Sequence, residues 1–388
     1  MRIAVIAPPW LAVPPTAYGG TELVLDTLCR GLTAAGHDVL LFTTGDSTCP
    51  VERLWTFDEQ LGLAQMAPAF EVQQVLEAYE AVKAWRPDVI HDHTVIGPVW
   101  QALDAPCPVV TTNHGPFRGV LLHLYRHVAR KVPVVAISHH QAAAATDIPI
   151  RAVIHHGLDV HAFEPGSGAG GYALFLGRMN PEKGVHRAIE LARKAGVPLK
   201  IAAKMREQPE REYFRTCVEP LLGGDVEYLG EVGGADKQAL LGEAMCLLNP
   251  IAWPEPFGMV MIESLACGTP VVATPSGAAP EIIDDGLTGF LRSTDDELVA
   301  AITKAASLDR HACREVAVKR FSMERMARDH IKLYRSLIAE AEAAVEELET
   351  VAKIGASEIT ATGIGTSRIG AMLDPRDFND PEMVGAGS

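Results

Sequence analysis

Pro254-Glu255-Pro256-Phe257-Gly258-Met259-Val260-Met261-Ile262-Glu263-Ser264-Leu265-Ala266-Cys267-Gly268-Thr269-Pro270-Val271-Val272-Ala273-Thr274 reads in one pass as loop, helix, tight turn and strand. Glu255 sits in a loop bracketed by two prolines. Glu263 lies on the apolar helix that follows, with seven residues between them. Gly268 is a helix-stop residue, and Pro270 opens a β-branched run that predicts a strand. A helix whose N-terminus opens into a cleft offers free N–H groups and the positive end of its dipole. Carboxylates bind phosphate poorly but accept hydrogen bonds from hydroxyls well. The pattern therefore predicts a site for a phosphorylated, hydroxyl-rich ligand such as a nucleotide sugar.

The same alternation of strand and helix extends outward in both directions. Before the motif, Arg2–Ala7, Asp38–Thr43, Asp88–His91, Pro108–Thr112, Pro133–Ile137 and Ala152–His155 read as strands, with a helix over Thr21–Ala35. Nearer the motif, the strands expected are Tyr172–Leu176, Leu199–Ala202, Val226–Leu229, Cys246–Leu248 and Val271–Ala273. Continuous β-branched runs between helices predict parallel sheets covered on both faces. The Gly-, Pro- and Ser-rich stretch from Gly157 to Gly171 divides the two series and reads as a linker. Its Gly166, Gly168 and Gly171 spell G-x-G-x-x-G, but they precede a strand instead of following one, so they are no dinucleotide fingerprint.

Two further segments carry chemistry. In Leu176-Gly177-Arg178-Met179-Asn180-Pro181-Glu182-Lys183-Gly184, a strand meets a helix start and two cations bracket the turn. A diphosphate needs such charge-assisted donors beside a helix N-terminus. In Tyr18-Gly19-Gly20-Thr21-Glu22, paired glycines between the first strand and first helix let a phosphate approach the backbone.

These residues together resemble the retaining family 4 glycosyltransferases, over roughly residues 2 to 335. The motif around Glu255 is similar to that family's E-x7-E, and Arg178 to Lys183 is similar to its diphosphate-binding turn. The resemblance implies an α/β fold of GT-B type: two doubly wound Rossmann-like domains facing across a cleft, with a C-terminal helix crossing back to the first domain. It implies donor contacts from Gly19, Gly20, Arg178, Lys183, Glu255, Phe257, Gly258, Met259, Val260 and Glu263. Glu255 would hold the donor hexose and Glu263 the ribose. Thr112-Asn113-His114-Gly115-Pro116 resembles the position where a histidine reaches the donor sugar, so His114, Glu255, Arg178 and Lys183 form the expected catalytic set. Retention of configuration, independence of metal and the absence of any cofactor beyond the nucleotide-sugar substrate are implied in the same way. The alternatives are another GT-B enzyme, such as a nucleotide-sugar epimerase, or a non-catalytic sugar-nucleotide sensor.

Composition narrows the classes. The 388 residues suit two domains. The expected division is 1–160 for the acceptor-side domain, 161–320 for the donor-binding domain, 321–349 for a helical return and 350–388 for a disordered acidic tail. The net charge of −15 argues against nucleic acid and against strong docking to anionic lipid. No run of eighteen uncharged apolar residues predicts a spanning helix, and Arg2–Ala7 reads as a first strand and not as a signal peptide. Seven cysteines without a C-x-x-C pair are expected to be reduced and mostly buried, in the cytoplasm. His91 and His93 share a strand face, but no third metal ligand is evident in the sequence. His139-His140 and His155-His156 are adjacent pairs whose side chains diverge. The expected partners are a UDP- or GDP-hexose donor and a small-molecule, glycan or lipid acceptor that the sequence does not identify.

Overall fold

In the computed structural model, which describes residues 1–361 except 17, 63–66 and 101–103, the strands gather into two parallel sheets. The first contains β1 (Arg2–Ile6), β2 (Asp38–Thr43), β3 (Glu52–Trp55), β4 (Val89–Asp92), β5 (Val109–Thr112), β6 (Val134–Ala136) and β7 (Ile150–Val153). Their order is β3-β2-β1-β4-β5-β6-β7. The second contains β8 (Ala173–Arg178), β9 (Leu199–Lys204), β10 (Val226–Gly230), β11 (Cys246–Asn249), β12 (Val271–Ala273) and β13 (Gly289–Leu291), ordered β10-β9-β8-β11-β12-β13. Both are doubly wound, with the order reversing beside β1 and beside β8, the places where such sheets bind ligands at their carboxyl ends.

Alternation along the strands explains the layers. Ile3, Val5, Val39, Leu41 and Val110 face the helices Gly20–Ala34 and Met323–Ala361, while Ala4, Ile6, Leu40, Phe42 and Ile90 face the helix Pro68–Trp85. In the second sheet, Phe175, Ile201 and Leu248 pack under the helices Val185–Ala195 and Asp295–Ala305. Leu174, Ala202 and Leu247 pack against Met259–Ala266 and Arg310–Phe321. Met259 touches the cores of both sheets.

The C-terminal return has a visible pivot. The helix Arg310–Phe321 ends at Ser322, where Leu158 donates to the Phe321 carbonyl (2.9 Å) and accepts from the Met323 amide (2.9 Å). A Cβ on Gly157 would lie 2.7 Å from the Ser322 carbonyl oxygen, so only glycine fits that crossing. Met326, Ala327, Ile331, Tyr334 and Leu337 then join the first sheet's core. The final helix runs through Ala361, past Thr350, where the sequence reading placed the start of a disordered tail. Its Ala- and Glu-rich stretch from Ala339 consists of strong helix formers. The rest of the expected tail, 362–388, lies outside the described residues. Residues 1–338 form one compact unit.

β3 and β13 were not anticipated. Both are short, and neither Glu52–Trp55 nor Gly289–Leu291 offers the apolar run that marks the other strands. β7 lies earlier than Ala152–His155, so His155 and His156 fall beyond the strand. Within the linker stretch, Gly166 packs against Gly242, where a Cβ would lie 2.2 Å from backbone.

Candidate active site

A cleft of about 490 Å³ opens between the two sheets. The decisive loop and helix form one wall. Gly258 precedes the helix Met259–Ala266 with φ of 103°, a conformation that side chains disfavour. Gly268 closes it with φ of 74° and β12 follows. Glu255 is held from below: its carbonyl accepts from the Ala278 amide (3.0 Å), and a Cβ on Gly277 would lie 2.2 Å from that oxygen.

The two carboxylates take different partners. Glu255 Oε1 is ion-paired with Lys183 Nζ, and both side chains are largely buried at 15% and 12% exposure. Glu255 Oε2 is buried and has no hydrogen-bond partner among the described residues. Glu263 Oε1 pairs with Lys237 Nζ at 2.8 Å. It lines a neighbouring chamber, shared with Gly19, Gly20, Gly177, Met259 and Val260, that lies beside the main cleft. The structure thus divides the pair between adjoining spaces, with Glu255 in the larger cleft and Glu263 in the smaller chamber.

Arg178 ends β8 and reaches the cleft wall. Its side chain has no hydrogen-bond or ion-pair partner among the described residues, and its Nε is buried and unsatisfied. Lys183 closes a short 3₁₀ turn, Pro181–Lys183, capped by Asn180 Oδ1 accepting from the Glu182 amide at 2.7 Å. Gly184 then turns with φ of 75° under the Pro250 carbonyl, where a Cβ would lie 2.6 Å away. Opposite, Gly19 and Gly20 start the first helix and line the same cleft. A Cβ on Gly19 would meet Pro15 at 2.7 Å. Phe257, Gly258, Met259 and Val260 also line the cleft, so of the expected donor and catalytic residues only Glu263 lies outside it.

His114 lines the first-domain side. Its Nε2 lies 2.9 Å from His93 Nδ1, its ring stacks on His156 at 5.2 Å and 21°, and its Nδ1 is buried without a partner among the described residues. Burial pushes its pKa down to about 4, so it is neutral at physiological pH. His93 and His156 are held well below the ordinary value by burial first and then by neighbouring histidines, His114 and His330 among them. His114 is therefore a hydrogen-bonding group and not a charged acid. His91 is committed elsewhere: its Nδ1 meets the Tyr334 hydroxyl (2.7 Å) and its Nε2 the Thr112 hydroxyl (2.8 Å).

Sequence reasoning undervalued three groups. Glu22 lines the cleft and is buried, and burial pushes its carboxyl up to about 7; the sequence reading gave it no role of its own. His93 was weighed as a metal ligand, but it is the partner of His114. Lys237, the partner of Glu263, lies on a helix, Gly234–Glu243, that carried no motif.

The family description "Glycosyltransferase Family 4" matches residues 18–162, and "Glycosyl transferases group 1" matches residues 164–320. The phosphatidyl-myo-inositol mannosyltransferase of Mycobacterium leprae is 24% identical over 379 residues, covering 87% of this chain and 97% of that protein. An uncharacterized 41.2 kDa protein in the cps region of Klebsiella pneumoniae is 30% identical over 169 residues; the match spans 42% of this chain and 46%, about half, of that relative. The fold is shared with Anabaena HepE, solved with UDP and glucose: TM-score 0.69, 21% identity, 87% of this chain and 100% of that one. The mannosyltransferase relatives favour transfer over the epimerase and sensor alternatives. The two family matches meet at the linker between the sheets, and with the fold and the relatives they place this chain among the glycosyltransferases of GT-B type.

Proposed function

We propose that this chain is a retaining hexosyltransferase that takes a UDP- or GDP-hexose and passes the sugar to an acceptor entering the cleft from the first domain. The observation that carries the reading is the set of unsatisfied polar atoms on the cleft wall: Arg178 Nε, Glu255 Oε2, His114 Nδ1 and His93 Nε2. Buried polar atoms without partners are rare in folded proteins, and these four belong to residues that line one cleft. Arg178 and Lys183 supply charge for a diphosphate, and the amides at the start of Met259–Ala266 add the helix dipole. Glu255 Oε2 accepts a hexose hydroxyl while Oε1 keeps Lys183 in place. Glu263, in the adjoining chamber, takes the ribose.

As the glycosidic bond breaks, negative charge grows on the β-phosphate. Fixed cations and oriented amides stabilise that charge most where water is excluded. A nucleoside diphosphate leaves readily, so no strong acid is required, in keeping with a neutral His114 that hydrogen-bonds the sugar. The reaction needs no metal in this reading, because Arg178 and Lys183 do the neutralising.

The donor range draws support from HepE, whose structure holds UDP and glucose, and the acceptor range from the relatives named phosphatidyl-myo-inositol mannosyltransferase. A mass-spectrometric screen of UDP- and GDP-hexoses against glycan and inositol-lipid acceptors tests the reading. Release of nucleoside diphosphate together with a glycosylated product supports it. Donor binding without turnover on any acceptor or water would return the sensor alternative.

A further inference from the structure

The histidine pairs converge differently from their sequence reading. One member of each pair meets one member of the other. His139 begins the short helix after β6, and His155 follows β7, so both belong to the first domain. Their rings stand perpendicular with centroids 5.8 Å apart. Between them comes Glu281, from the second domain's helix Ala279–Ile282. His155 Nε2 lies 2.8 Å from Glu281 Oε2. One ligand atom from each of His139, His155 and Glu281 lies within 4.8 Å of the other two.

We infer that His139, His155 and Glu281 form a zinc-class divalent cation site that clasps the first domain to the second. Two imidazoles and one carboxylate suit zinc and its borderline neighbours, with a fourth position left for water. Metal–ligand bonds of about 2.0–2.2 Å in a tetrahedron place ligand atoms roughly 3.4 Å apart. The His155–Glu281 contact would widen by about half an ångström to admit the ion, and the exposed His139 side chain is free to swing inward. The outer shell is already built. The His139 amide donates to Oε2 and the His140 amide to Oε1, both at 2.7 Å, which fixes the carboxylate as the partners of metal ligands do. None of the three residues lines the donor cleft, so the clasp is separate from the proposed chemistry.

The test uses the full chain, tag-free and stripped with chelator, titrated with zinc chloride by calorimetry and with cobalt(II) by visible absorption. One equivalent should bind, and zinc should raise the melting temperature. His139→Ala, an exposed position that leaves the fold intact, should weaken zinc by more than the roughly 10–100-fold typical of losing an outer-shell partner, and should abolish the thermal shift. Glu281→Gln should do the same. The stripped wild type should bind UDP and GDP as the loaded protein does, which keeps this test independent of the donor site. Zinc binding that both variants leave unchanged, or no stoichiometric binding at all, overturns the proposal.

Discussion

Replacing Arg178 by alanine separates ligand binding from fold stability. The guanidinium has no hydrogen-bonded or charged partner among the described residues, and its Nε is buried and unsatisfied. Removing it breaks no hydrogen bond or ion pair among the described residues and relieves a desolvated group. A hydrogen bond to a charged group contributes about 1.5–3 kcal/mol, so UDP or GDP should bind about 10- to 160-fold more weakly, with melting temperature unchanged or slightly higher. Lys183→Ala should behave differently. Lys183 is ion-paired with Glu255 in a largely buried position, and breaking such a pair strands the remaining charge at about 3–5 kcal/mol. That variant should lose nucleotide affinity and stability together. Calorimetric titration with UDP and GDP, run beside thermal melts of both variants, reads the two quantities independently. Nucleotide affinity that survives Arg178→Ala intact would refute the placement of the diphosphate. A stability loss in Arg178→Ala equal to that of Lys183→Ala would refute the claim that Arg178 waits unpaired.

Three further outcomes are expected. Glu263→Ala should weaken free UDP or GDP in titrations, whereas Glu255→Gln, which keeps an oxygen for Lys183, should largely spare nucleotide binding and lower turnover of the intact donor; the reverse pattern would mean that the two roles are exchanged. Turnover should persist in excess chelator, even where chelation lowers the melting temperature; activity abolished by chelator and restored by one divalent metal would contradict cation-only stabilisation by Arg178 and Lys183. Glu22 has a pH signature: burial lifts its carboxyl to about 7 from 4.5, so its contribution to stability is fully present below pH 4.5 and is lost as pH rises through 7. Denaturant unfolding at pH 4.5 and pH 7.5 should show wild type losing about 3 kcal/mol more than Glu22→Gln, and parallel losses would place Glu22 in water.

Much of this arrangement was legible because its causes are local. Gly258 and Gly268 bound one helix through backbone conformations available to glycine, and the strand Val271–Ala273 announces itself by β-branching. Arg178 and Lys183 bracket a turn whose Asn180 cap and Gly184 exit are written within seven residues. The features that stayed hidden depend on approach through space. His93 and His114 meet because β4 and β5 are neighbours in register, with His91 beside Val110. Lys237 reaches Glu263 from a helix with no motif. His139, His155 and Glu281 converge only once β6, β7 and the second domain's helix are placed. The two missed strands are short and lack the apolar run that identifies the others. The helix extends past Thr350, where the sequence predicted a disordered tail, as a continuation of the Ala- and Glu-rich stretch Ala339–Glu349.

The central claim, transfer of a hexose with retention through the cleft of Arg178, Lys183 and Glu255, is tested most directly by following an α-linked UDP- or GDP-hexose by proton NMR as the enzyme consumes it. Nucleoside diphosphate should appear together with a sugar product that is α at the anomeric carbon when first formed, and Arg178→Ala should suppress both signals. A β product would contradict retention. No consumption of either donor, with water and the screened acceptors present, would contradict the assignment of the cleft itself.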